Sequence, residues 1–190
     1  MLSTPLMPFF FVWKGEIMRI FLVAGRSGSG KTDVAKYIKE YYIYKMEESV
    51  ITGYSKYITP FCMELTDWDG MGVKPRRDMQ IIAAELRKMD PKFFTRRMIQ
   101  DMEYYESKVQ NVIVSDCRMP EELDSIYDSF DEVYSIYVIN QFGKSNLTLE
   151  EQADITETIL ENYDGFDYTI ANDDQNTLKD KVFAILEGIK

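Results

Sequence analysis

The sequence predicts an α/β protein of three layers, in which helices cover both faces of a parallel sheet of about five strands. Short runs rich in Val, Ile, Leu and Tyr alternate along the chain with longer segments of helical character. This alternation is typical of parallel sheets, because neighbouring parallel strands need a helix-length crossover between them. The chain has 190 residues, of which 45% are hydrophobic and 28% charged, so it can bury one core without cross-links.

The predicted elements begin with a strand from Arg19 to Ala24, which ends at Gly25, and a helix from Thr32 to about Met46. The other predicted strands are 49–54, 111–116, 132–139 and 166–171. The other predicted helices are 55–68, 77–89, 91–109, 120–129, 148–162 and 176–189. Asp90 before Pro91 predicts a helix start, and Thr148 with Glu151 predicts a capping box. No linker or repeat interrupts the chain, so we predict one domain over 18–190.

Composition excludes several classes of function. The chain has no histidine, which removes Ser-His and Cys-His nucleophiles and the common zinc sites. Its 22 basic and 32 acidic residues give a net charge of −10, which argues against a nucleic acid polymer as partner. The two cysteines, Cys62 and Cys117, lack CxxC spacing, so we expect no disulfide framework and a reducing, cytoplasmic location.

Residues 1–17 have the character of an extension. The apolar run from Leu6 to Trp13 contains Pro8 and is too short to cross a bilayer, so we expect no membrane anchor. One interpretation is an apolar arm. The other is a mis-assigned start, with Met18 as the true first residue, because the codons AAAGGAGAA for residues 14–16 would form a bacterial ribosome-binding site.

The loop after the first strand matches G-x-x-x-x-G-K-[ST] in full. Its residues are Gly25, Arg26, Ser27, Gly28, Ser29, Gly30, Lys31 and Thr32. Such a loop points successive backbone N–H groups at phosphate oxygens, and the helix that follows adds its positive end. Lys31 is expected on the β- and γ-phosphates and Thr32 on Mg²⁺, so the motif predicts ATP and Mg²⁺ as ligands. The chain lacks the N-K-x-D motif of GTPases.

A carboxylate ends the third predicted strand. Asp116 would lie at the carboxyl edge of the sheet, where ligands bind in open α/β folds, and could orient a magnesium-bound water. The alternative is that Asp116 caps the helix that begins near Pro120.

Arginines are concentrated in one part of the chain. Five of the eight lie in the predicted helical pair over 76–97, and none lies beyond Arg118. In an acidic protein this clustering indicates a second anion site, because guanidinium groups bind phosphate or carboxylate bidentately. The candidates for binding the acceptor are Arg76, Arg77, Arg87 and Arg96. The alternative for each is an exposed charge on a solvated helix face.

Taken together, these motifs resemble the P-loop nucleoside monophosphate kinase superfamily, in particular its phage-type deoxynucleoside monophosphate kinases and the related animal-type phosphomevalonate kinases. The resemblance is carried by residues 25–32, the sequence PRRDMQ from Pro75 continuing to Arg87 and to Asp90-Pro91-Lys92-Phe93-Phe94, Ser115-Asp116-Cys117-Arg118, and the stretch from Thr156 to Asn172. It implies a helical substrate-binding insert at about 54–109 and a lid at about 140–160.

The resemblance also implies roles for single residues. Asp116 would lie near magnesium or substrate and Arg118 on phosphate, as catalytic partners of Lys31. Arg77 and Arg87 would contact the acceptor phosphate, and Asn172 would lie near the adenine. The lid departs from the adenylate kinase pattern, since between 140 and 162 its only cation is Lys144. Catalytic charge is therefore expected from Lys31, Arg26, Arg118 or Lys144.

The function expected from these features is ATP- and Mg²⁺-dependent phosphoryl transfer to a nucleoside monophosphate, with a deoxynucleotide favoured by the bacterial or phage coding signal. One alternative is a kinase of another phosphorylated small molecule, such as phosphomevalonate or dephospho-coenzyme A. A second is a non-catalytic nucleotide-dependent switch. The expected partner is a small phosphorylated acceptor, bound by a monomer or homodimer.

Overall fold

The computed structural model describes residues 17–140 and 147–189. The apolar run over 6–13, the first part of the expected lid and Lys144 lie outside the described residues. Within the described ranges, no helix combines the length and apolar character needed to span a membrane.

Five parallel strands form one sheet, which confirms the predicted fold class. The strands are β1 Arg19–Ala24, β2 Ser49–Thr52, β3 Asn111–Cys117, β4 Val133–Asn140 and β5 Tyr168–Asn172, in the spatial order β2-β3-β1-β4-β5. The first crossover from β1 passes over β3 to β2, whereas later crossovers lead to β4 and β5 on the other side. The chain therefore reverses direction across the sheet beside β1, and a crevice is expected there at the carboxyl ends of the strands.

Helices cover both faces of the sheet. They are α1 Lys31–Tyr44, α2 Thr59–Leu65, α3 Arg76–Met89, α4 Phe93–Tyr105, α5 Pro120–Tyr127, α6 Leu149–Gln152, α7 Ile155–Thr158 and α8 Gln175–Gly188. Alternate residues of β1 point to opposite faces, as the pleat of a strand requires. Phe21 packs in the cluster that α1 and α8 cover, and Leu22 packs in the cluster that α4 and α5 cover.

Several element boundaries differ from the prediction. The expected helix over 55–68 is a 3₁₀ turn, Tyr54–Tyr57, followed by α2. The prediction that a helix begins at Pro91 was wrong, because the Asp90 carboxylate accepts the Lys92 N–H at 3.0 Å and closes a turn before α4. The expected helix over 148–162 is broken where the Asp154 carboxylate accepts the Thr156 N–H at 3.0 Å. In the last two cases a local side-chain contact outweighs helical propensity.

Candidate active site

The glycine-rich loop between β1 and α1 has a backbone that larger residues would strain. Gly25, Gly28 and Gly30 have φ values of 138°, 76° and 102°. A Cβ atom on Gly25 would lie 2.5 Å from the carbonyl oxygen of Val138 on the adjacent strand β4. The motif thus has the curled backbone that directs N–H groups inward, and α1 begins directly after it.

Lys31 is held inside this loop. Its Nζ donates hydrogen bonds of 2.7 Å to the carbonyl oxygens of Gly25 and Arg26, and the residue is buried. Burial, together with the nearby Arg118 guanidinium, lowers the pKa of Lys31 to about 7. An anion bound in the loop would stabilise the charged amine.

A cavity of about 570 Å³ connects the loop to the carboxyl edge of β3 and to the helices after β2. The loop end is lined by Ser27, Gly28, Gly30, Lys31 and Thr32. The centre is lined by Asp116, Arg118, Glu157 and Asn172. The far end has an apolar wall that includes Tyr54, Ile58, Met79, Ala83 and Phe94, with Lys74, Arg76 and Arg87 beside it. The predicted nucleotide residues and two of the predicted acceptor arginines therefore share one cavity.

Asp116 anchors the start of the helical insert. Its two carboxylate oxygens accept the backbone N–H groups of Tyr54 and Ser55 at 2.6 and 3.0 Å. Gly53 permits this approach, since a Cβ there would lie 2.6 Å from Asp116 Oδ1. Asp116 thus caps the 3₁₀ turn Tyr54–Tyr57, and the alternative expectation that it caps the helix near Pro120 was wrong.

A buried glutamate holds Arg87. Glu122 is 1% exposed, and its Oε1 accepts a hydrogen bond from Arg87 Nη2 at 2.9 Å, while its Oε2 accepts the Arg118 N–H at 2.8 Å. Burial raises the pKa of Glu122 to about 7, against the opposing effect of Arg87. The Arg87 guanidinium also lies 4.5 Å from the ring centre of Phe94. The sequence analysis missed Glu122, because Met119 three residues before it is not the Ser or Thr of a capping box; the Glu122 carboxylate also accepts the Met119 N–H, at 3.2 Å.

The other candidate arginines diverge in space. Arg76 lines the cavity, whereas Arg77 is paired with Glu150 at 2.7 Å. Arg96 is not among the residues that line the cavity, and it is paired with Asp90 at 2.7 Å with half of its side chain exposed. The structure therefore does not bring Arg96 to the site, because it lies on an outward face of α4.

Residues 147–163, here called the acidic segment, lie against the glycine-rich loop. The Glu157 carboxylate accepts the Ser27 N–H at 2.7 Å and is paired with Arg118 at 2.6 Å. Glu161 is paired with Arg26 at 3.0 Å. The sequence analysis missed Glu157 as a partner of the site. The available signal was the composition of the expected lid, which has glutamates but no arginine.

Asn172, at the end of β5, contacts the backbone of the glycine-rich loop. Its Nδ2 donates to the Ser29 carbonyl oxygen at 2.9 Å, and a Cβ on Gly30 would lie 2.5 Å from the same nitrogen. Asn172 lines the cavity, and the expected contact with adenine stays a prediction.

The residues present fit a magnesium ion that phosphates help to hold. Thr32 is exposed on the cavity wall, and each Asp116 oxygen has a lone pair beyond its N–H contact. Among the described residues there is no cluster of three or more acidic or cysteine side chains that could hold a metal ion. Mg²⁺ takes one or two protein ligands together with phosphates and water, and the Thr32 hydroxyl and the Asp116 carboxylate are ligands of that kind.

Comparison with known proteins places this fold among the P-loop kinases. No protein-family model matches the chain, and no significant match to a curated protein sequence was found. The chain is similar in structure to the APS kinase of Mycobacterium tuberculosis in complex with AMPPNP and APS, with a TM-score of 0.56 and 10% identity over 91% of this chain and 98% of that one. A sugar kinase from Janibacter sp. matches with a TM-score of 0.54 and 13% identity, covering 90% and 94%.

A third similar structure is a gluconokinase from Sinorhizobium meliloti, with a TM-score of 0.52 and 13% identity, covering 92% of this chain and 94% of that one. At these identities the likeness establishes the fold. The chain has the three-layer P-loop kinase fold, and its glycine-rich loop joins β1 to α1.

Proposed function

We propose that the protein is a small-molecule kinase that uses ATP and Mg²⁺ to phosphorylate a nucleoside monophosphate, with a deoxynucleoside monophosphate as the favoured acceptor. The observation that carries this proposal is the single cavity that joins the glycine-rich loop to an apolar wall with Arg76 at its side. A triphosphate fits the loop end, and a base with its phosphate fits the far end.

In this proposal the protein contributes positioning and charge, since phosphoryl transfer demands little covalent chemistry from side chains. The loop N–H groups, Lys31 and Arg118 hold the triphosphate, and Arg76 and Arg77 hold the acceptor phosphate. An acceptor phosphate oxygen attacks the γ-phosphorus, the bond to the β-phosphate oxygen breaks, and ADP leaves. Mg²⁺, held by Thr32 and through water by Asp116, would neutralise charge on the transferring group.

A second candidate acceptor is another small molecule that carries less negative charge. Two observations support it. Arg87, expected on the acceptor phosphate, is held by Glu122, and the similar structures described above are an APS kinase, a sugar kinase and a gluconokinase. This candidate shares the proposed nucleotide chemistry and differs only in the acceptor.

The test is a coupled ADP-release assay with ATP, Mg²⁺ and a panel of all ribo- and deoxynucleoside monophosphates, phosphomevalonate, dephospho-coenzyme A, APS and gluconate. We expect a strong response to one or two nucleotides, with the diphosphate identified by phosphorus NMR. Lys31→Ala is the matched control, because it must abolish the response. A response only to phosphomevalonate, dephospho-coenzyme A, APS or gluconate would favour the second candidate, and ATP binding without any transfer would favour a switch.

A further inference from the structure

The acidic segment carries the charge opposite to that expected of a kinase lid. Its 17 residues contain no Lys or Arg, and its acidic residues are Glu150, Glu151, Asp154, Glu157 and Glu161. Three of these glutamates are paired with arginines. Glu157 pairs with Arg118, which lines the cavity, whereas Glu150 and Glu161 pair with Arg77 and Arg26, which are not among the lining residues. One short stretch of chain thus neutralises one cavity-lining cation and two cations beside the cavity, in the first turn of α3 and in the glycine-rich loop.

Glu157 makes the contacts that a phosphate group would make. One carboxylate oxygen accepts the N–H of Ser27 in the glycine-rich loop, and the other lies 2.6 Å from the Arg118 guanidinium. The side chain is 4% exposed, so these contacts are shielded from water. Backbone N–H groups of such a loop and a guanidinium are the usual ligands of phosphate oxygens. A carboxylate and a phosphate cannot both occupy this position.

We propose that Glu157 is an internal competitor of the nucleotide, and that the acidic segment holds the unliganded site in a self-inhibited state. A nucleoside diphosphate or triphosphate binds by displacing the Glu157 carboxylate, and this displacement frees Arg118. In the same step Glu161 separates from Arg26. This inference rests on the proposed nucleotide-binding function. It also explains how a lid without arginine can accompany phosphoryl transfer: the cations come from the loop and from β3 once the glutamates withdraw.

The three pairs differ in exposure, which predicts a graded effect. The side chain of Glu157 is 4% exposed, that of Glu161 42% and that of Glu150 70%. Exposed ion pairs are weakened by water and salt, whereas a buried pair keeps most of its strength. Removing the charge of Glu157 should therefore change nucleotide affinity most, and removing that of Glu150 least.

The experiment measures the affinity of Mg·ADP by calorimetry for the full-length protein and its variants, with no acceptor present. Glu157→Gln keeps the size of the side chain and removes its charge. We expect Glu157→Gln to bind Mg·ADP about tenfold more tightly than the original protein, because the competing state no longer reduces the apparent affinity. Glu161→Gln should bind about twofold more tightly. Glu103→Gln, on an exposed position of α4, is the matched control and should bind unchanged.

Equal or weaker binding by Glu157→Gln, where the original protein binds Mg·ADP, would overturn the inference and leave the proposed kinase function standing. If neither protein binds Mg·ADP, the proposed function itself fails and the inference falls with it. Should Glu157→Gln not fold, the double variant Glu150→Gln/Glu161→Gln decides, since both side chains are largely exposed. Unchanged affinity in that double variant would then overturn the inference.

Discussion

The glycine-rich loop and the arginine-rich helices α3 and α4 were both expected to bind anions, but their residues are arranged differently in the structure. In the loop, residues adjacent in sequence line one cavity. In the helices, Arg77 is paired with Glu150, Arg87 with Glu122 and Arg96 with Asp90. A motif based on local backbone geometry therefore survives folding as a unit, whereas a cluster of charges in sequence is divided among distant partners.

The comparison is tested most strongly at the loop. Lys31→Ala should lower turnover by about two to three orders of magnitude, because it removes a preorganised cation from the developing charge. The folded state should persist, since the amine contacts only loop carbonyl groups. Steady-state ADP release and thermal unfolding check the two statements, with Lys36→Ala, exposed on the same helix, as control. Turnover above a tenth of the original would contradict the role of Lys31.

At the helices, Arg87 should matter chiefly for stability. Arg87→Ala leaves Glu122 buried without its cation, and loss of one partner from a buried pair costs about 3 kcal/mol. Arg96→Ala, which removes a pair half-open to water, should change the free energy of unfolding by less than about 0.5 kcal/mol. Urea unfolding measures both. A normal unfolding curve for Arg87→Ala together with a raised acceptor KM would restore Arg87 as an acceptor contact.

Arg76 and Arg77 are neighbours in sequence but differ in position. Arg76 lines the cavity, whereas Arg77 is paired with the acidic segment. Arg76→Ala should raise the acceptor KM about tenfold with a smaller change in kcat, because a charged hydrogen bond to a ground-state phosphate is lost. Arg77→Ala should raise it about threefold, since Arg77 must first leave Glu150. Kinetics at saturating ATP give both values. Unchanged acceptor KM in both variants would reject this pair as the acceptor site.

The smallest expected effect is the uptake of part of a proton when nucleotide binds. The pKa of Lys31 is lowered to about 7, so near pH 7.5 much of the amine is neutral before nucleotide binds. Bound phosphate favours the charged amine, so binding should take up part of a proton, and affinity should fall as the pH rises from 6 to 9. The same depressed pKa means that the contribution of Lys31 to stability is largest above its unfolded pKa and is lost as the pH falls through 7.

Calorimetry in buffers of different ionisation enthalpy measures this proton uptake directly. Lys31→Met should lose it, and Lys36→Met should retain it. An uptake that persists in Lys31→Met would assign the proton to another group.

The sequence predicted the features that depend on local order. The five strands, their parallel arrangement and the loop Gly25–Thr32 follow from periodicity and one motif, and Thr148 with Glu151 does form a capping box. The sequence could not predict which residues pair with the arginines, because Glu122 and Glu157 lie 35 and 39 residues from Arg87 and Arg118. Pairing at such distances depends on how helices and loops pack, which local patterns do not encode.

The contact between Glu157 and Arg118 bears on the empty protein as well as on catalysis. A site that gathers Lys31, Arg76 and Arg118 around one cavity would repel itself when no anion is bound. Here the chain supplies its own counter-ion from helix α7. The unliganded protein should therefore stay folded in buffers free of phosphate, sulfate and nucleotide, so that its stability does not depend on a bound anion.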